Sequence, residues 1–531
     1  MDFTALNKPI GYSKAPLQYG RSALTYTNTD NDHPVEEGQI KNFDFTNLPI
    51  DIIEKVIGNL SQFDLLNMCR TSSRMYRICR PGLYHCIIID PSFNIFAHEL
   101  RTAGVTYIKS SYNLKVFLKI LNKNPDYSNE IYSLSCKGLP GAFFWDNLIK
   151  DFIPVFKNLH HLHNLIWLDY NFPIQLLNQL PKKHLITTLI LRFEYTIPVI
   201  NTHTNHTSLS FPNLSNFQIQ HFRSSPILQQ VVDLVSLNVS GGGKVNDKLR
   251  VLSLDFMELG GSMDIFQMVF ERSALKHLPN LTSLSLFDIR VRPEDADTLS
   301  KAINLSNLQF FLVRGFVSTL EDSFLSRLAS RFQRLRHLSL NISGERGDAT
   351  ADFVSSLPQL ESLDIVSGTQ SSVELAQAIA KHHCLTKLSS EIYDIPLEMV
   401  VDYLYDPPSE FYSVLSSLNL TSLRINNTTN MNGLVELITS QKQLKFLEIL
   451  GAKAGGAPNL GLGMVHPTVF DKWFRVQHVA LFYLNINPGI EYIRVNDCVF
   501  ECKDNKTVNP RDGLNGWFNE KVKTKSIREG M

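Results

Sequence analysis

The 531-residue chain carries 51 Lys and Arg residues against 51 Asp and Glu residues, so its formal net charge is zero at pH 7. This balance gives no global electrostatic footprint for a nucleic acid or an anionic membrane surface. The length exceeds that of one compact domain, which indicates several domains or an elongated repeat array. No apolar run reaches the length of a membrane span, so no membrane partner is expected.

The cysteine count and the first residues both predict an intracellular protein. Seven cysteines, an odd number, are scattered along the chain, which favours reduced thiols. Residues 1–20 are polar and interrupted by proline and glycine, without the apolar core of a signal peptide. We expect a cytoplasmic location, a nuclear location or both, and a disordered N-terminal segment at residues 1–40.

Residues 47–85 show the first helical periodicity. Leu48-Pro49 is typical of a helix start, because proline tolerates the first helical position. Ser61 and Asp64 match the Ser-x-x-Asp signal for the start of a second helix. A third helical piece is expected to end at Pro81-Gly82. Three short helices cannot bury all of their aliphatic residues among themselves, so a partner surface is expected.

This segment closely resembles the F-box motif. The residues that carry the resemblance lie in all three helical pieces, namely Leu48, Pro49, Asp51, Ile52, Ile53, Val56, Ile57, Leu60, Asp64, Leu65, Leu66, Arg74, Tyr76 and Tyr84. The sequence departs from the family pattern at Thr71-Ser72 and at Met75. An ordinary helical bundle is the alternative interpretation of the same residues.

The resemblance implies docking to the Skp-family adaptor of an SCF ubiquitin ligase and, through that adaptor, assembly with cullin and RING subunits. The residues that match the family's adaptor-facing positions are Leu48, Pro49, Ile53, Ile57, Leu60, Leu65 and Leu66. They are the predicted adaptor-binding residues.

Downstream, one pattern returns a dozen times: an aliphatic residue, two variable residues, an aliphatic, one variable residue and an aliphatic. Clear copies begin at Leu249, Leu281, Leu335, Leu360 and Leu444, and weaker ones at Ile131, Ile186, Leu214, Leu234, Leu308, Leu420 and Ile490. The last two aliphatics of each copy alternate as in a short strand. Leu284, Leu338 and Leu363 are therefore predicted to be fully buried.

The spacing of the copies favours leucine-rich repeats. The central residues Phe311, Leu338 and Leu363 are 27 and 25 residues apart, within the period of about 20–29 residues of that repeat class. The intervening segments, such as 321–332 and 373–380, have helical periodicity. Residues 84–502 thus resemble the leucine-rich-repeat domain of fungal F-box proteins. The predicted fold is α/β, a leucine-rich-repeat solenoid (horseshoe) preceded by a three-helix F-box at residues 41–83.

Three parts of the chain interrupt this regularity. The distance from Leu388 to Leu423 is 35 residues and includes a Pro-Pro pair, which indicates an insertion. Residues 451–463 are rich in glycine and are expected to form a mobile loop. The C-terminal tail, residues 503–531, lacks periodicity and is expected to be disordered or to form a cap.

No motif for catalysis, metal or cofactor binding is complete. Ser240–Lys244 lacks the first glycine and the Ser or Thr of a phosphate-binding loop, and Gly260–Asp264 lacks the second glycine of a nucleophile elbow. The cluster His160, His161 and His163 and the pair Cys498 and Cys502 have no partners at zinc spacing. We expect a non-catalytic protein without cofactor or metal.

The remaining functional signal is the surface. In such a solenoid, residues beside the paired aliphatics face the concave side, where aromatic and arginine side chains carry interface energy. The predicted substrate-binding residues, expected on four neighbouring strands near the C-terminus, are Arg424, Phe446, Glu448, Phe482, Tyr492 and Arg494. Ordinary surface exposure is the alternative interpretation.

The function that follows is that of the substrate-recognition subunit of an SCF-type ubiquitin ligase. The F-box would hold the adaptor, and the repeats would hold an unidentified protein substrate. The alternative is a non-catalytic scaffold that binds the Skp adaptor outside a ubiquitin ligase, which has the same sequence features.

Overall fold

The computed structural model of the chain describes residues 48–91, 104–140, 145–169, 172–173, 175–192, 211–222, 247–256, 266–272, 277–317, 322–368, 372–393, 407–426, 430–450, 469–495, 498–503, 507–511 and 514–522. The predicted N-terminal segment 1–40 and the glycine-rich segment 451–463 lie outside these residues, as do Ser240–Lys244 and Gly260–Asp264. So do residues 394–406, within the predicted insertion between Leu388 and Leu423.

Three helices open the described chain: α1 (Ile50–Ile57), α2 (Gln62–Cys69) and α3 (Ser73–His85). Helix α2 begins as predicted, because the Ser61 side chain accepts a hydrogen bond from the Asp64 amide at 3.2 Å. The Ser72 side chain caps α3 in the same way, through the Met75 amide.

The prediction that α3 ends at Pro81-Gly82 is wrong. The helix continues to His85 with Pro81 inside it. Leu83 and Tyr84 are buried, so packing of the last turn offsets the hydrogen bond that proline removes. The Gly82 backbone lies close to Ile57, whose Cγ2 would be 3.4 Å from an added Cβ.

The strands in the rest of the described chain, 17 in number, form one sheet. The strands are β1 (Cys86–Ile89), β2 (Thr106–Ile108), β3 (Ser133–Cys136), β4 (Asn164–Trp167), β5 (Thr188–Arg192), β6 (Asn216–Phe222), β7 (Val251–Phe256), β8 (Ser283–Val291), β9 (Phe310–Val317), β10 (His337–Ser343), β11 (Ser362–Gly368), β12 (Lys387–Tyr393), β13 (Ser422–Asn426), β14 (Phe446–Leu450), β15 (Tyr492–Val495), β16 (Cys498–Lys503) and β17 (Thr507–Pro510).

From β3 onward, strand order in the sheet follows chain order. Strand β1 pairs with β2 on one side and β3 on the other. From β3 each strand pairs in parallel with the next, as far as β15. The pairs β15–β16 and β16–β17 are antiparallel. A long sheet of strands in sequence results, with helices before and between them.

The repeated aliphatic pattern coincides with these strands. Leu284, Leu338 and Leu363 are buried, as predicted. Leu338 lies between Phe311 and Leu363 on the neighbouring strands, so the central aliphatics form a continuous row. The copy that begins at Leu234 lies outside the described residues, and β6 pairs directly with β7. Strand β4 lies between β3 and β5, although the sequence analysis did not recognise a copy of the pattern there.

A layer of helices connects the strands and packs on the leucine face, where helix and strand side chains share one core. These segments are Ser111–Lys123, Pro125–Asn129, Trp145–Phe156, Gln175–Gln179, Lys183–Leu185, Gln267–Arg272, Asp295–Ala302, Leu305–Asn307, Phe324–Leu328, Gly347–Ser356, Ser372–Ala380, Ser409–Leu415, Met431–Ser440 and Val469–Ile486. None of the helices in the described ranges is long and apolar enough to cross a membrane.

Two of these helices fall on segments with predicted helical periodicity. Helix Ser372–Ala380 fills the segment 373–380. Among the described residues 322–332 only Phe324–Leu328 is helical, since Ser323 caps its start and Ser330 adopts a left-handed φ of 63° soon after its end. The periodicity located both helices but not the end of the shorter one.

The end of the chain contains more structure than predicted. The tail 503–531 was expected to be disordered or to form a cap, but β17 lies within it and is followed by a helix at Asn515–Val522, here called the C-terminal helix. The prediction of disorder is wrong for these two segments. Phe518 and Val522, which are buried, stabilise the helix although its sequence has no strong period.

Polar side chains just after two of the helices, Ser372–Ala380 and Met431–Ser440, accept hydrogen bonds from buried backbone amides at the start of the preceding repeat copy. The Leu360 amide donates to His382 Nδ1 at 3.3 Å, and the Leu420 amide donates to Gln441 Oε1 at 2.9 Å. His382 Nε2 therefore carries the proton and donates to the Val354 carbonyl at 3.0 Å. The neutral imidazole of His382 thus accepts a hydrogen bond from a buried backbone amide, as the side-chain amide of Gln441 does further along the chain.

We predict that this histidine makes stability depend on pH. Burial lowers the pKa of His382 below its ordinary value of 6.5. Between the folded pKa and about 6.5, His382 is therefore protonated in the unfolded chain but neutral in the folded chain. The free energy of unfolding consequently decreases as the pH falls through 6.5 toward the folded pKa. Urea denaturation at a series of pH values between 8 and 5 measures this decrease.

The control is provided by the chain itself. His382→Gln reproduces the Gln441 arrangement without a titrating group, so its stability should vary less with pH than that of the wild type. His383→Gln removes an exposed histidine next to it, whose charge is a lesser cause of the shift than burial, and should retain most of the wild-type pH dependence. Equal pH dependence in His382→Gln and the wild type would contradict the assignment.

Candidate functional site: an apolar helix face and the C-terminal end of the sheet

Helix α1 carries two adjacent apolar stripes that have different surroundings. Ile53 and Ile57, four residues apart, are buried against the rest of the chain. Ile52 and Val56, also four residues apart, are 43% and 39% exposed. At 100° per residue the two stripes adjoin on the helix surface, so one apolar arc is half covered.

Helix α2 also carries an exposed apolar side chain. Phe63, in its first turn, is 66% exposed, and Ile50 at the start of α1 is also exposed. Leu65, two residues after Phe63, is buried. Exposed side chains of this size on two consecutive helices are typical of an interaction surface rather than of scattered surface residues.

The seven predicted adaptor-binding residues differ in burial: one is exposed, three are partly buried and three are fully buried. Pro49 is exposed, whereas Leu48, Leu60 and Leu66 are partly buried and pack against the core. Ile53, Ile57 and Leu65 are fully inside the core. These last three hold the helices together and present no surface, so the exposed apolar face consists of their neighbours Ile50, Ile52, Val56 and Phe63.

The helices continue into the sheet without a linker. Helix α3 ends at His85 and β1 begins at Cys86. The Thr106 hydroxyl in β2 donates to the Leu83 carbonyl at 2.6 Å, and the Tyr107 amide donates to Gln62 Oε1 at 3.1 Å. Because the helices and the strands share one core, the apolar face has a defined position relative to the sheet.

A cluster of aromatic and charged groups reinforces this junction. The hydroxyls of Tyr76 and Tyr127 are 2.9 Å apart, and Arg80 Nη2 lies 3.2 Å from Glu130 Oε1. The Arg80 guanidinium also lies over the Tyr127 ring, 5.0 Å from its centroid. Burial, followed by the hydrogen bond with Tyr127, raises the pKa of Tyr76 to about 12, so its phenol remains protonated at neutral pH.

At the other end of the sheet, four charged side chains of alternating sign form a row across neighbouring strands. They are Glu391 on β12, Arg424 on β13, Glu448 on β14 and Arg494 on β15. Parallel pairing places Arg424 beside Glu448, and Glu448 beside Arg494. The last three are each the residue between the paired aliphatics of a copy, so the repeat itself aligns them on the face opposite the helices.

These groups pair with one another. Arg424 Nη1 contacts Glu391 and donates to Ser389 Oγ at 3.1 Å. Arg424 Nε lies 3.1 Å from Glu448 Oε2, and Arg494 Nη2 donates to Glu448 Oε1 at 2.6 Å. Glu448 is 2% exposed, so its carboxylate depends on these arginines in place of water.

The C-terminal helix covers this row and the aromatic residues beside it. Phe446 and Tyr492 stack with their ring centroids 5.8 Å apart. Trp517 meets the Tyr492 ring edge to face at 4.7 Å, and the Arg494 guanidinium lies over the Phe518 ring at 4.9 Å. The helix packs over β12, β13, β14 and β16. Five of the six predicted substrate-binding residues therefore lie beneath or beside a segment of the same chain.

The expected position of the sixth residue is wrong. Phe482 was expected on a strand, but it lies on the helix Val469–Ile486, where it is 44% exposed. Its neighbours Val476, Ala480 and Tyr483 are buried at helical spacing, which explains why this segment is not a strand. The other five residues occupy three adjacent strands rather than four.

Sequence reasoning placed Ile52 and Val56 in the F-box pattern but did not assign them to the adaptor-binding residues, and it missed the residues that cover the sheet. The signal for Ile52 and Val56 was present, since the apolar arc is too wide for one buried face. The contact between Glu391 and Arg424 could have been predicted only if the register of β12 and β13, which pairs Ser389 with Arg424, had been known. Trp517 and Phe518 gave only a pair of adjacent aromatics in a polar tail.

The residues considered for metal or nucleophilic chemistry have ordinary structural contacts. His161 Nδ1 lies 2.8 Å from the Asn129 carbonyl, and His163 Nδ1 lies 2.8 Å from the His161 carbonyl. Cys498 is buried in the main core. Burial raises the pKa of the Cys502 thiol to about 12, which keeps it protonated. Within the described ranges, no group of three or more His, Cys, Asp and Glu side chains is placed to hold a metal.

Comparison with known protein families identifies the helical segment. Residues 45–82 match the model of the F-box domain, and they include α1, α2 and most of α3. No curated protein matches the chain. The match confirms the F-box prediction and supports an F-box protein. An F-box domain implies a Skp-binding adaptor role in SCF-type ubiquitin ligases, and F-box proteins are generally non-catalytic adaptor subunits.

We predict that the charged row is stabilising only while it is complete. Glu448→Ala should lower the free energy of unfolding by on the order of 3–5 kcal/mol, because it leaves two buried arginines without their shared partner. Urea denaturation followed by circular dichroism measures the change. The comparison is Glu361→Ala, which removes the exposed partner of Arg336 and should cost less than about 1 kcal/mol. Equal, small losses in both variants would contradict the role of the row.

Proposed function

We propose that this protein is the substrate-recognition subunit of an SCF-type ubiquitin ligase. Its F-box helices bind the Skp-family adaptor, and its sheet domain, a leucine-rich-repeat solenoid, binds the protein that becomes ubiquitinated. The observation that carries the proposal is the exposed apolar face of α1 and α2 within residues that match the F-box model. The protein works in the cytoplasm, the nucleus or both.

The adaptor-binding surface in this proposal is the uncovered half of the apolar arc. Ile52, Val56 and Phe63 contribute large aliphatic and aromatic groups, and Pro49 and Ile50 extend the surface. Burying a side chain of this size contributes about 1.5–3 kcal/mol, so three of them provide the centre of a stable interface. Ile53, Ile57 and Leu65 act indirectly, because they hold the two helices in position from inside.

The repeat geometry supports the second half of the proposal. Sequential parallel strands with a single helix layer are the arrangement of leucine-rich repeats, in which the face opposite the helices is available to a partner. Aromatic and arginine groups on that face lie in β13, β14 and β15. The protein itself performs no bond chemistry; it raises the effective concentration of substrate lysines near a charged ubiquitin-conjugating enzyme.

The junction between α3 and β1 suits this proximity mechanism. A flexible linker would spread the substrate over many distances from the adaptor, whereas a shared core and the Tyr76–Tyr127 contact restrict the range. The proposal therefore uses both binding surfaces and the rigid connection between them.

Adaptor binding is tested by placing charge on the exposed stripe. Ile52→Asp combined with Val56→Asp should raise the Kd for a recombinant Skp-family adaptor by at least about 100-fold. The reason is that two carboxylates would be desolvated in the interface. Both positions are exposed in the free protein, so the fold should be retained. Isothermal titration calorimetry of the full chain against the adaptor measures the loss.

A matched control separates location from charge. Lys55→Asp changes the net charge by the same two units on the polar side of α1 and should leave adaptor affinity close to that of the wild type. Full binding by the double variant would show that this face is not the adaptor surface. Equal loss in Lys55→Asp would point to a nonspecific electrostatic effect instead.

The ligase role is tested by reconstitution. The full chain with adaptor, cullin, RING subunit and ubiquitin-charging enzymes should support ubiquitination of the chain itself, and the Ile52→Asp, Val56→Asp variant should not. Formation of a stable complex with the adaptor but no ubiquitin transfer in the complete mixture would favour the scaffold alternative. Gel shift of the labelled chain provides the measurement.

A further inference from the structure

The face of the sheet opposite the helix layer holds a small apolar cluster that is separate from the main core. Val499, Phe518 and Val522 are buried in it, and Phe446 and Tyr492 pack against them. None of these five side chains belongs to the continuous core formed by the leucines and the helices. The C-terminal helix is thus held by a surface that the sheet does not need for its own packing.

The charged row beneath the helix is complete without it. Arg424 is paired with Glu391 and Glu448, and Arg494 is paired with Glu448, all on strands. The described contact of the helix with this row is the Phe518 ring under the Arg494 guanidinium. If the helix moved away, each of these charged groups would keep its ionic partner and gain water.

The helix attaches mainly through two adjacent aromatic residues. Trp517 packs on Phe446 and Tyr492, at 5.9 Å and 4.7 Å between ring centroids, and Phe518 packs between Phe446 and Arg494. Trp, Tyr and Arg are enriched among the residues that contribute most of the binding energy of protein interfaces, and a cation over an aromatic ring adds to that energy. A segment held in this way resembles a bound ligand more than an element of the core.

We propose that residues 514–522 are an intrachain ligand that occupies the substrate face of the sheet. A partner protein replaces them with its own short amphipathic helix, which presents two adjacent aromatic residues to Phe446, Tyr492 and Arg494. This inference rests on the proposed function only in naming the partner as a substrate. The closed state is favoured because the tether from β17 keeps the helix at high effective concentration.

The test uses the full-length protein and a labelled peptide that copies residues 511–531. In the wild type the attached helix should exclude the peptide. Phe518→Asp should release the helix, and the variant should then bind the peptide at least about tenfold more tightly than the wild type does. Fluorescence anisotropy measures both affinities. Asn509→Asp adds the same charge at an exposed position of β17 and should behave as the wild type.

Peptide sequence provides the specificity control. A peptide with alanine in place of Trp517 and Phe518 should not bind the Phe518→Asp variant. If the variant binds neither peptide, or binds both equally, the intrachain-ligand proposal is overturned. It is equally overturned if Phe518→Asp unfolds the sheet, because the proposal requires that the helix leave while the main core persists.

Hydrogen exchange on the unmodified protein gives a second, independent measurement. Amides of 514–522 should exchange at least about tenfold faster than those of β14 and β15, as expected for a unit that opens locally. Exchange of all three segments at one rate would overturn the proposal. Adaptor binding by Phe518→Asp should equal that of the wild type, so failure of this inference remains distinguishable from failure of the F-box assignment.

Discussion

Parallel pairing in one register determines which residues of this protein meet. Each copy of the repeated pattern places its central aliphatic beside the central aliphatic of the next copy, so Phe311, Leu338 and Leu363 form one row. The residue after each central aliphatic points to the opposite face, and the same register places it beside its counterpart on the next strand. A shift of one residue in a single strand would turn a leucine outward and a charged residue inward. The buried core and the charged row are therefore two consequences of one constraint.

Much of this arrangement could be predicted from the sequence, because the pattern is local and repeated. The positions of β7 to β15 and the burial of Leu284 follow from alternation within a few residues. What alternation cannot supply is the identity of the neighbour across strands. Arg424, Glu448 and Arg494 were identified as surface groups, but their mutual pairing depends on register, and it removes them from solvent.

The F-box helices show a related limit. The family pattern marks apolar positions but does not separate those that face the chain's own strands from those that face a partner. Ile53 and Ile57 pack inward because α3 and the first strands lie on that side, whereas Ile52 and Val56 lie one residue earlier on the helix surface. Only a structure that includes the packed neighbours divides the apolar arc, since both halves have the same composition and spacing.

The C-terminal helix was beyond sequence reasoning for a different physical reason. Its eight residues are too few to be stable as an isolated helix, so its existence depends on tertiary contacts that a local pattern does not reveal. Those contacts are Phe518 and Val522 against β14 and β16, on a face with no leucine row. A helix that depends entirely on docking is also one whose structure is lost when docking is lost. Ordering of the chain end and access to the sheet face are consequently coupled, and both follow from the same few aromatic contacts.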